Sequence, residues 1–231
     1  MLVFAHRGAS ADAPENTLLA AEKALQQAAD GIEIDVHQTG SDLVVIHDQW
    51  LHRTTNGHGN LADFNLAELK KLDAGEGQQI PSLWELMQGV AGQCLLNIEI
   101  KGVDDVQLVL SLIDKALVEL NFKAEQFIVS SFDHHLLKRI KNLRPTLKIG
   151  ALTGSKHLDY AAFAETLKAY SVNVDISFVD QHFVEDAKSR GLKIFVYTVD
   201  EEADLLKLKD WGVDGVFCNA PGKARNILNQ S

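Results

Sequence analysis

Cysteine is almost missing from this chain: only Cys94 and Cys218 occur, far apart and each inside an apolar run. That excludes a disulfide framework, and the spacing excludes a cysteine-built zinc site, so both read as buried thiols of a reducing compartment. Long hydrophobic runs are missing as well. Nothing approaches the roughly 20 apolar residues of a bilayer-spanning helix, so no membrane insertion is expected. The opening Met1-Leu2-Val3-Phe4-Ala5 turns polar at His6-Arg7 and lacks the basic leader and apolar length of a secretory signal, which makes a cytoplasmic location the expectation. Positive charge is in deficit: 22 Lys and Arg face 32 Asp and Glu, for a formal net charge of −10. A nucleic-acid partner, which requires clustered cations, is therefore not expected, while a small anion in a locally basic pocket is still allowed. No proline-rich linker, internal repeat or low-complexity tract divides the chain. What is present, 46% hydrophobic and 23% charged residues over a length of 231, suits one globular domain with a sizeable core.

Short β-rich apolar runs alternate with stretches of helical period, the mark of a parallel α/β architecture. Eight strand candidates can be counted: Leu2–Ala5, Ile32–Val36, Leu95–Ile100, Phe127–Ser130, Lys148–Leu152, Val174–Phe178, Lys193–Thr198 and Gly215–Cys218. Helix signals fill the gaps: Asn16 as a cap before Leu18, a capping box at Ser82-Leu83-Trp84-Glu85, Asp104 and Asp133 as further openings, and helical stretches near 160–170, 179–189, 201–211 and 221–229. Eight such units favour a closed (β/α)8 TIM barrel, with an open doubly wound sheet as the alternative. Residues 48–80 break the rhythm with turn-rich Thr54-Thr55-Asn56-Gly57-His58-Gly59-Asn60 and read as a small inserted subdomain after the second strand of one domain spanning 1–231.

Strand side chains alternate, so in Glu33-Ile34-Asp35 the two carboxylates share a face, and in Glu99-Ile100-Lys101 the acid and the amine do. In a barrel the isoleucines turn outward to the helices, which sends Glu33, Asp35, Glu99 and Lys101 toward the axis near the strand ends. The competing reading is an edge strand whose acids pair with surface lysines. Three converging carboxylates repel one another unless a cation compensates, and an all-oxygen set suits one divalent cation, Mg2+ or Ca2+, better than zinc. His6 and His47 each follow directly on an apolar run and so sit at strand ends, as a proton donor and a base for a phosphodiester would need to. Three acids, one dication, Arg7 and Lys101 leave a single positive charge, which suits a singly charged phosphodiester; Arg7 offers a planar fork and Lys101 a point charge. His134-His135 reads as solvated, His52, His58, His157 and His182 lack reactive partners, and Ser130-Ser131 lacks a nucleophile-elbow pattern.

Taken together, His6-Arg7-Gly8 with Glu15-Asn16-Thr17, Glu33-Ile34-Asp35-Val36, His47-Asp48 with Arg53-Thr54-Thr55, Ile80-Pro81-Ser82-Leu83, Ile98-Glu99-Ile100-Lys101 and Gly212-Val213-Asp214-Gly215 resemble, in order, the motifs of the glycerophosphodiester phosphodiesterase family. The resemblance covers essentially the whole chain. It implies a barrel with an insertion, a divalent metal on Glu33, Asp35 and Glu99, His6 and His47 as the acid–base pair, and a small-molecule glycerophosphodiester as substrate. It also implies release of an alcohol and glycerol 3-phosphate, with the substrate's own glycerol hydroxyl as a candidate first nucleophile. Another metal-dependent phosphoester-processing barrel, and a phosphodiester-binding barrel without turnover, are the alternatives. Two departures bear on substrate preference. Tyr197-Thr198-Val199-Asp200 stands where Trp-Thr-Val-Asn is common, making Tyr197 a candidate substrate contact of altered shape, and Asn219-Ala220-Pro221 lacks the acid that often precedes the last proline.

Overall fold

The computed structural model describes residues 1–230. Nine strands form one sheet: β1 (Leu2–His6), β2 (Gly31–Thr39), β3 (Asp42–Val45), β4 (Leu95–Gly102), β5 (Phe127–Ser131), β6 (Lys148–Thr153), β7 (Ser171–Asp175), β8 (Lys193–Tyr197) and β9 (Gly215–Cys218). β1 pairs in parallel with both β2 and β9, which closes every strand but β3 into an eight-stranded barrel. β3 hangs antiparallel on β2, outside the ring. The open-sheet alternative is excluded, and the fold is a TIM barrel. Nine helices occur among the described residues: α1 (Leu18–Gln26), α2 (Leu66–Leu69), α3 (Leu83–Val90), α4 (Val106–Glu119), α5 (His134–Leu143), α6 (Ala162–Thr166), α7 (Gln181–Ser189), α8 (Glu202–Asp210) and α9 (Pro221–Gln230).

Alternation along the strands divides the apolar residues into two cores. Ile32, Ile34, Val36, Ile98 and Ile100 turn outward and pack with the helices. Inside the ring, Phe4, Ile128, Phe195 and Phe217 fill the barrel, the Phe4 ring lying 5.2 Å from that of Phe195 and 5.1 Å from that of Phe217. Each such buried ring contributes about 1.5–3 kcal/mol by leaving water. Gly31 is needed beside them, because a Cβ there would come within 2.5 Å of the Phe4 ring. With this plug below, polar side chains at the C-terminal strand ends line a cavity above.

Three local expectations shift. The seventh strand runs over Ser171–Asp175, and Ile176 to Phe178 form a turn in which Asp175 accepts the Ser177 N–H at 2.8 Å. Polar Ser171 and Asn173 face the barrel interior and disguise the strand's first half. Helix α1 is capped by Thr17, whose Oγ1 accepts the Ala20 N–H at 3.2 Å, and Asn16 turns to the site instead. Helix α4 is capped by Asp105. The box at Ser82 forms as read, with Ser82 and Glu85 each accepting the other's backbone N–H.

Between β3 and α3, two 3-10 turns (Leu51–Arg53 and Leu61–Asp63) and α2 gather around Leu51, Leu61, Leu69 and Ile80 in a small core of their own. The β1–α1 loop is pinned at Gly8, where φ is +81° and a Cβ would lie 2.6 Å from the Ala20 backbone. Gly8→Ala is expected to cost about 1–3 kcal/mol from the backbone conformation alone, with the contact adding to it. Urea unfolding of the two proteins side by side measures the loss.

Candidate active site

The acidic trio forms at the ends of β2 and β4. Asp35 and Glu99 are register partners, and oxygens of Glu33, Asp35 and Glu99 all lie within 4.8 Å of one another. All three residues are buried. β2 is hydrogen-bonded to β1 on one side and β4 on the other, so the edge-strand reading does not hold. Burial first, then Asp35 and Glu99, push the Glu33 carboxyl well above its usual range. Glu99 is pushed up to about 7 by burial, with Lys101 opposing and Asp35 adding. Glu33 Oε1 has no hydrogen-bond partner among the described residues.

Two cations are tied to the trio. Lys101 pairs with Glu99 and stands 3.4 Å from Asp35. Arg7 is a non-glycine residue at φ +59°, in the left-handed region that side chains rarely adopt. That turn lets its backbone N–H donate to Glu33 Oε2 at 3.0 Å, while its guanidinium reaches Glu15 at 2.8 Å and Asp35 at 3.3 Å. Asn16, also left-handed at φ +60°, donates to Asp35 Oδ2 at 2.9 Å.

Each of the two imidazoles has its own anchor. His6 Nδ1 lies 2.9 Å from Asn219 Oδ1. The Asn219 amide is itself fixed, since its Nδ2 and its backbone N–H donate to the Asp200 carboxylate at 2.6 and 2.7 Å. Asn219 thus presents oxygen to His6, which places the imidazole proton on Nδ1 and leaves the Nε2 lone pair free. Burial, with Arg7 adding, holds His6 below its usual range. The two family departures noted in the sequence therefore touch each other, behind this histidine. His47 Nδ1 lies 2.5 Å from Asp48 Oδ1, and Arg53 grips Asp48 through Nε and through Nη2 at 3.1 Å. The other edge of Arg53 forms a fork on Glu15, at 2.9 and 2.8 Å. Arg53, and then His47, hold Asp48 well below the carboxylate range.

His6, Arg7, Glu33, His47, Glu99, Lys101 and Tyr197 line one cavity of about 190 Å³, with Asp35 buried just behind Arg7 and Lys101. Every residue singled out in the sequence is brought together there. Tyr197 donates its hydroxyl to the Thr153 carbonyl at 2.8 Å, and its ring meets Phe132 edge-on. Sequence reasoning missed Glu15, Asn16, Asp48, Arg53, Asp200 and Asn219 as site residues. It also missed His37, whose ring lies 2.9 Å from the His47 carbonyl and holds that backbone. The His134 reading is corrected: the ring contacts the Leu152 carbonyl at 2.8 Å and stacks on Phe163 with centroids 5.0 Å apart. The charge balance changes too. Glu15 and Asp48 add two negatives and Arg53 one positive, so a single positive charge returns only when one imidazole is protonated.

Working groups confined to the C-terminal rim of a parallel barrel define a barrel enzyme. Residues 6–223 match the model of the glycerophosphoryl diester phosphodiesterase family, and the chain belongs to that family. It is 39% identical, over 239 aligned positions covering 99% of this chain and 98% of the relative, to a glycerophosphodiester phosphodiesterase of Caldanaerobacter subterraneus. A glycerophosphodiester phosphodiesterase of Bacillus subtilis is 36% identical over 96% of this chain and 84% of its own length. Among solved structures, an Oleispira antarctica phosphodiesterase in complex with the product sn-glycerol-3-phosphate superposes with a TM-score of 0.90 at 32% identity, covering 99% of this chain and 97% of that one. No described helix is long and apolar enough to cross a membrane. Both cysteines are free and buried, and burial pushes each thiol up to about 12.

Proposed function

We propose that this chain hydrolyses glycerophosphodiesters, such as glycerophosphocholine or glycerophosphoethanolamine, to an alcohol and sn-glycerol 3-phosphate. The observation that carries the reading is the meeting, in one cavity, of two separately anchored imidazoles with an acidic trio and two cations. Mg2+ or Ca2+ suits the all-oxygen set of Glu33, Asp35 and Glu99, and the unpartnered buried Glu33 Oε1 is the acceptor such an ion would satisfy. When bound, the ion polarises a phosphoryl oxygen and offsets the trio's charge. Arg7 and Lys101 supply the remaining positive charge to the phosphate oxygens. His6, with its Nε2 lone pair free, takes the proton of the incoming nucleophile; His47, whose proton is offset by the Asp48 carboxylate, supplies one to the leaving alkoxide. One protonated imidazole also restores the single positive charge that a phosphodiester monoanion complements. The buried thiols fit a reducing compartment, and we place the reaction in the cytoplasm.

Product analysis tests the assignment. Glycerophosphocholine supplied with excess Mg2+ or Ca2+ is expected to yield choline and glycerol 3-phosphate in equal amounts. Absence of turnover sinks the diesterase reading, and turnover surviving exhaustive chelation sinks the metal.

Residues 48–80 read as a subdomain inserted into the single barrel domain, and Asp48 and Arg53 are its contributions to the site. Because Arg53 forks two carboxylates at once, lysine cannot replace it. Arg53→Lys is expected to lower kcat about tenfold, the lower end for a lost supporting partner. A thermal melt run beside the kinetics should show little change, since the side chain is 42% exposed.

A further inference from the structure

Below the acidic trio, the barrel interior carries a second polar layer that the proposed chemistry does not use. Asn97 on β4 stands one inward step beneath Glu99, and Asn173 on β7 stands at the corresponding step beneath Asp175. Both line the cavity, and they are 1% and 0% exposed. Each asparagine gives one amide atom to a serine: Asn97 Nδ2 donates to Ser130 Oγ at 3.0 Å, and Asn173 Oδ1 accepts from Ser171 Oγ at 2.8 Å. The other amide atom of each, Asn97 Oδ1 and Asn173 Nδ2, has no hydrogen-bond partner among the described residues. Buried amide atoms are rarely left this way, and two facing one cavity require a ligand or a structural explanation. Gly150 on β6 lies against Asn173 and Ser130, since a Cβ there would come 3.0 Å from Asn173 Nδ2 and 3.2 Å from the Ser130 Cβ. Its bare backbone keeps the floor open.

The chemistry of the vacant partners is specific. With the amides oriented so, one free atom is an acceptor and the other a donor, and exchanging O and N in both together keeps that complementarity, because a serine hydroxyl bonds either way. A phosphate or carboxylate oxygen satisfies only the donor. An ammonium satisfies only the acceptor. A hydroxyl satisfies both, and Leu152 and Phe217 beside it offer apolar walls to the carbon that bears it. We propose that Asn97 and Asn173 form a hydroxyl-reading subsite on the cavity floor, which makes them specificity-determining residues for the glycerol side of the diester. The subsite rests on the diesterase reading above.

The test is calorimetric binding to the full chain in excess Ca2+, comparing sn-glycerol 3-phosphate with propyl phosphate, which keeps the phosphate and the carbon chain but lacks both hydroxyls. Wild type is expected to prefer glycerol 3-phosphate by about tenfold or more, as sites built around a hydrogen-bonding hydroxyl do. Asn97→Leu and Asn173→Leu should each collapse that ratio toward one while propyl phosphate binds as before. Gly150→Ala retains both asparagines but sets a methyl group 3.0 Å from the free Asn173 Nδ2, and it should give the same collapse if a leucine variant fails to fold. A ratio that survives these substitutions, or equal weakening of both ligands, overturns the subsite. Weakened binding of phosphocholine instead would move the floor to the head group and overturn it too. Glycerophosphocholine turnover is followed in wild type beside the binding: turnover with a ratio that the substitutions leave unaltered removes only the subsite, and absent wild-type turnover removes the reading beneath it.

Discussion

Alanine at His6 or at His47 is expected to lower kcat on glycerophosphocholine by about 10²–10⁴, the contribution of a positioned proton donor or acceptor. Neither change should unfold the protein, because each residue lines the cavity and neither belongs to the apolar clusters that fill the barrel and back its helices. The two losses should differ in their pH dependence. His6 is held below its usual range by burial and by Arg7, so it stays neutral and able to accept a proton at lower pH than an ordinary histidine. The acidic limb of kcat/KM therefore lies below about pH 6.5, the ordinary histidine value. Asn219→Asp sets a carboxylate against the same Nδ1, which favours the imidazolium and moves that limb to higher pH, lowering activity between about pH 6 and 7. Asp48→Asn acts on the other side: its amide can turn NH2 toward His47 and disturb the tautomer that the carboxylate fixes. A His6 or His47 variant retaining turnover within tenfold of wild type would take that residue out of the proton transfer, and an unmoved limb in Asn219→Asp would do the same for the His6 assignment.

How much of this was legible in the sequence follows from the range of the forces involved. Strand alternation is local, so Glu33, Asp35, Glu99 and Lys101 could be placed on one side of their strands from period-two patterning alone, and His6 and His47 from their position at strand ends. The barrel count followed from the same pattern. It fails at β7, where the inward positions are Ser171 and Asn173 in place of apolar residues, so the alternating Val174, Ile176 and Phe178 set the expected strand too late. The supporting residues were hidden for another reason. Arg53 reaches Glu15 across 38 positions, and His6 reaches Asn219 across 213, so no spacing rule joins them until the barrel has closed. Arg53 and Asn219 look locally like a turn residue and a helix-entry residue. His134 looks solvated in the sequence because the aromatic surface that stacks on it comes from Phe163, on another helix. Side chains that line the cavity announce themselves by type and strand position; those that hold them do so only through tertiary contacts.

Replacing Glu33 with glutamine should separate what the acidic trio does for catalysis from what it costs the fold. Turnover is expected to fall by about 10³ or more, since the trio loses one anionic oxygen donor and with it several kcal/mol of phosphate charge stabilisation. Stability of the metal-free protein should move the other way. Glu33 and Glu99 both titrate above their unfolded values, so the native state binds more protons than the unfolded chain, and stability is lost as pH rises from about 4.5 through about 7. Glutamine removes the most strongly disfavoured charge. Its oxygen can still accept the Arg7 N–H now made by Glu33 Oε2, and its NH2 takes the place of the unpartnered Oε1, facing carboxylates that accept hydrogen bonds. At pH 8 without metal, Glu33→Gln is therefore expected to be more stable than wild type by about 1–4 kcal/mol, the range found when buried ionic groups give way to neutral ones of similar volume. Adding Ca2+ or Mg2+ at about 100 times its dissociation constant should raise wild type by about 2.7 kcal/mol and the variant by much less, so the order of the two melting temperatures narrows or inverts. Thermal melts at pH 8, in chelator and then in excess dication, read both halves. Equal shifts in the two proteins would show that the ion binds elsewhere. A metal-free variant less stable than wild type would show that Arg7 and Lys101 already neutralise the trio, and that the cluster is a structural ion-pair network.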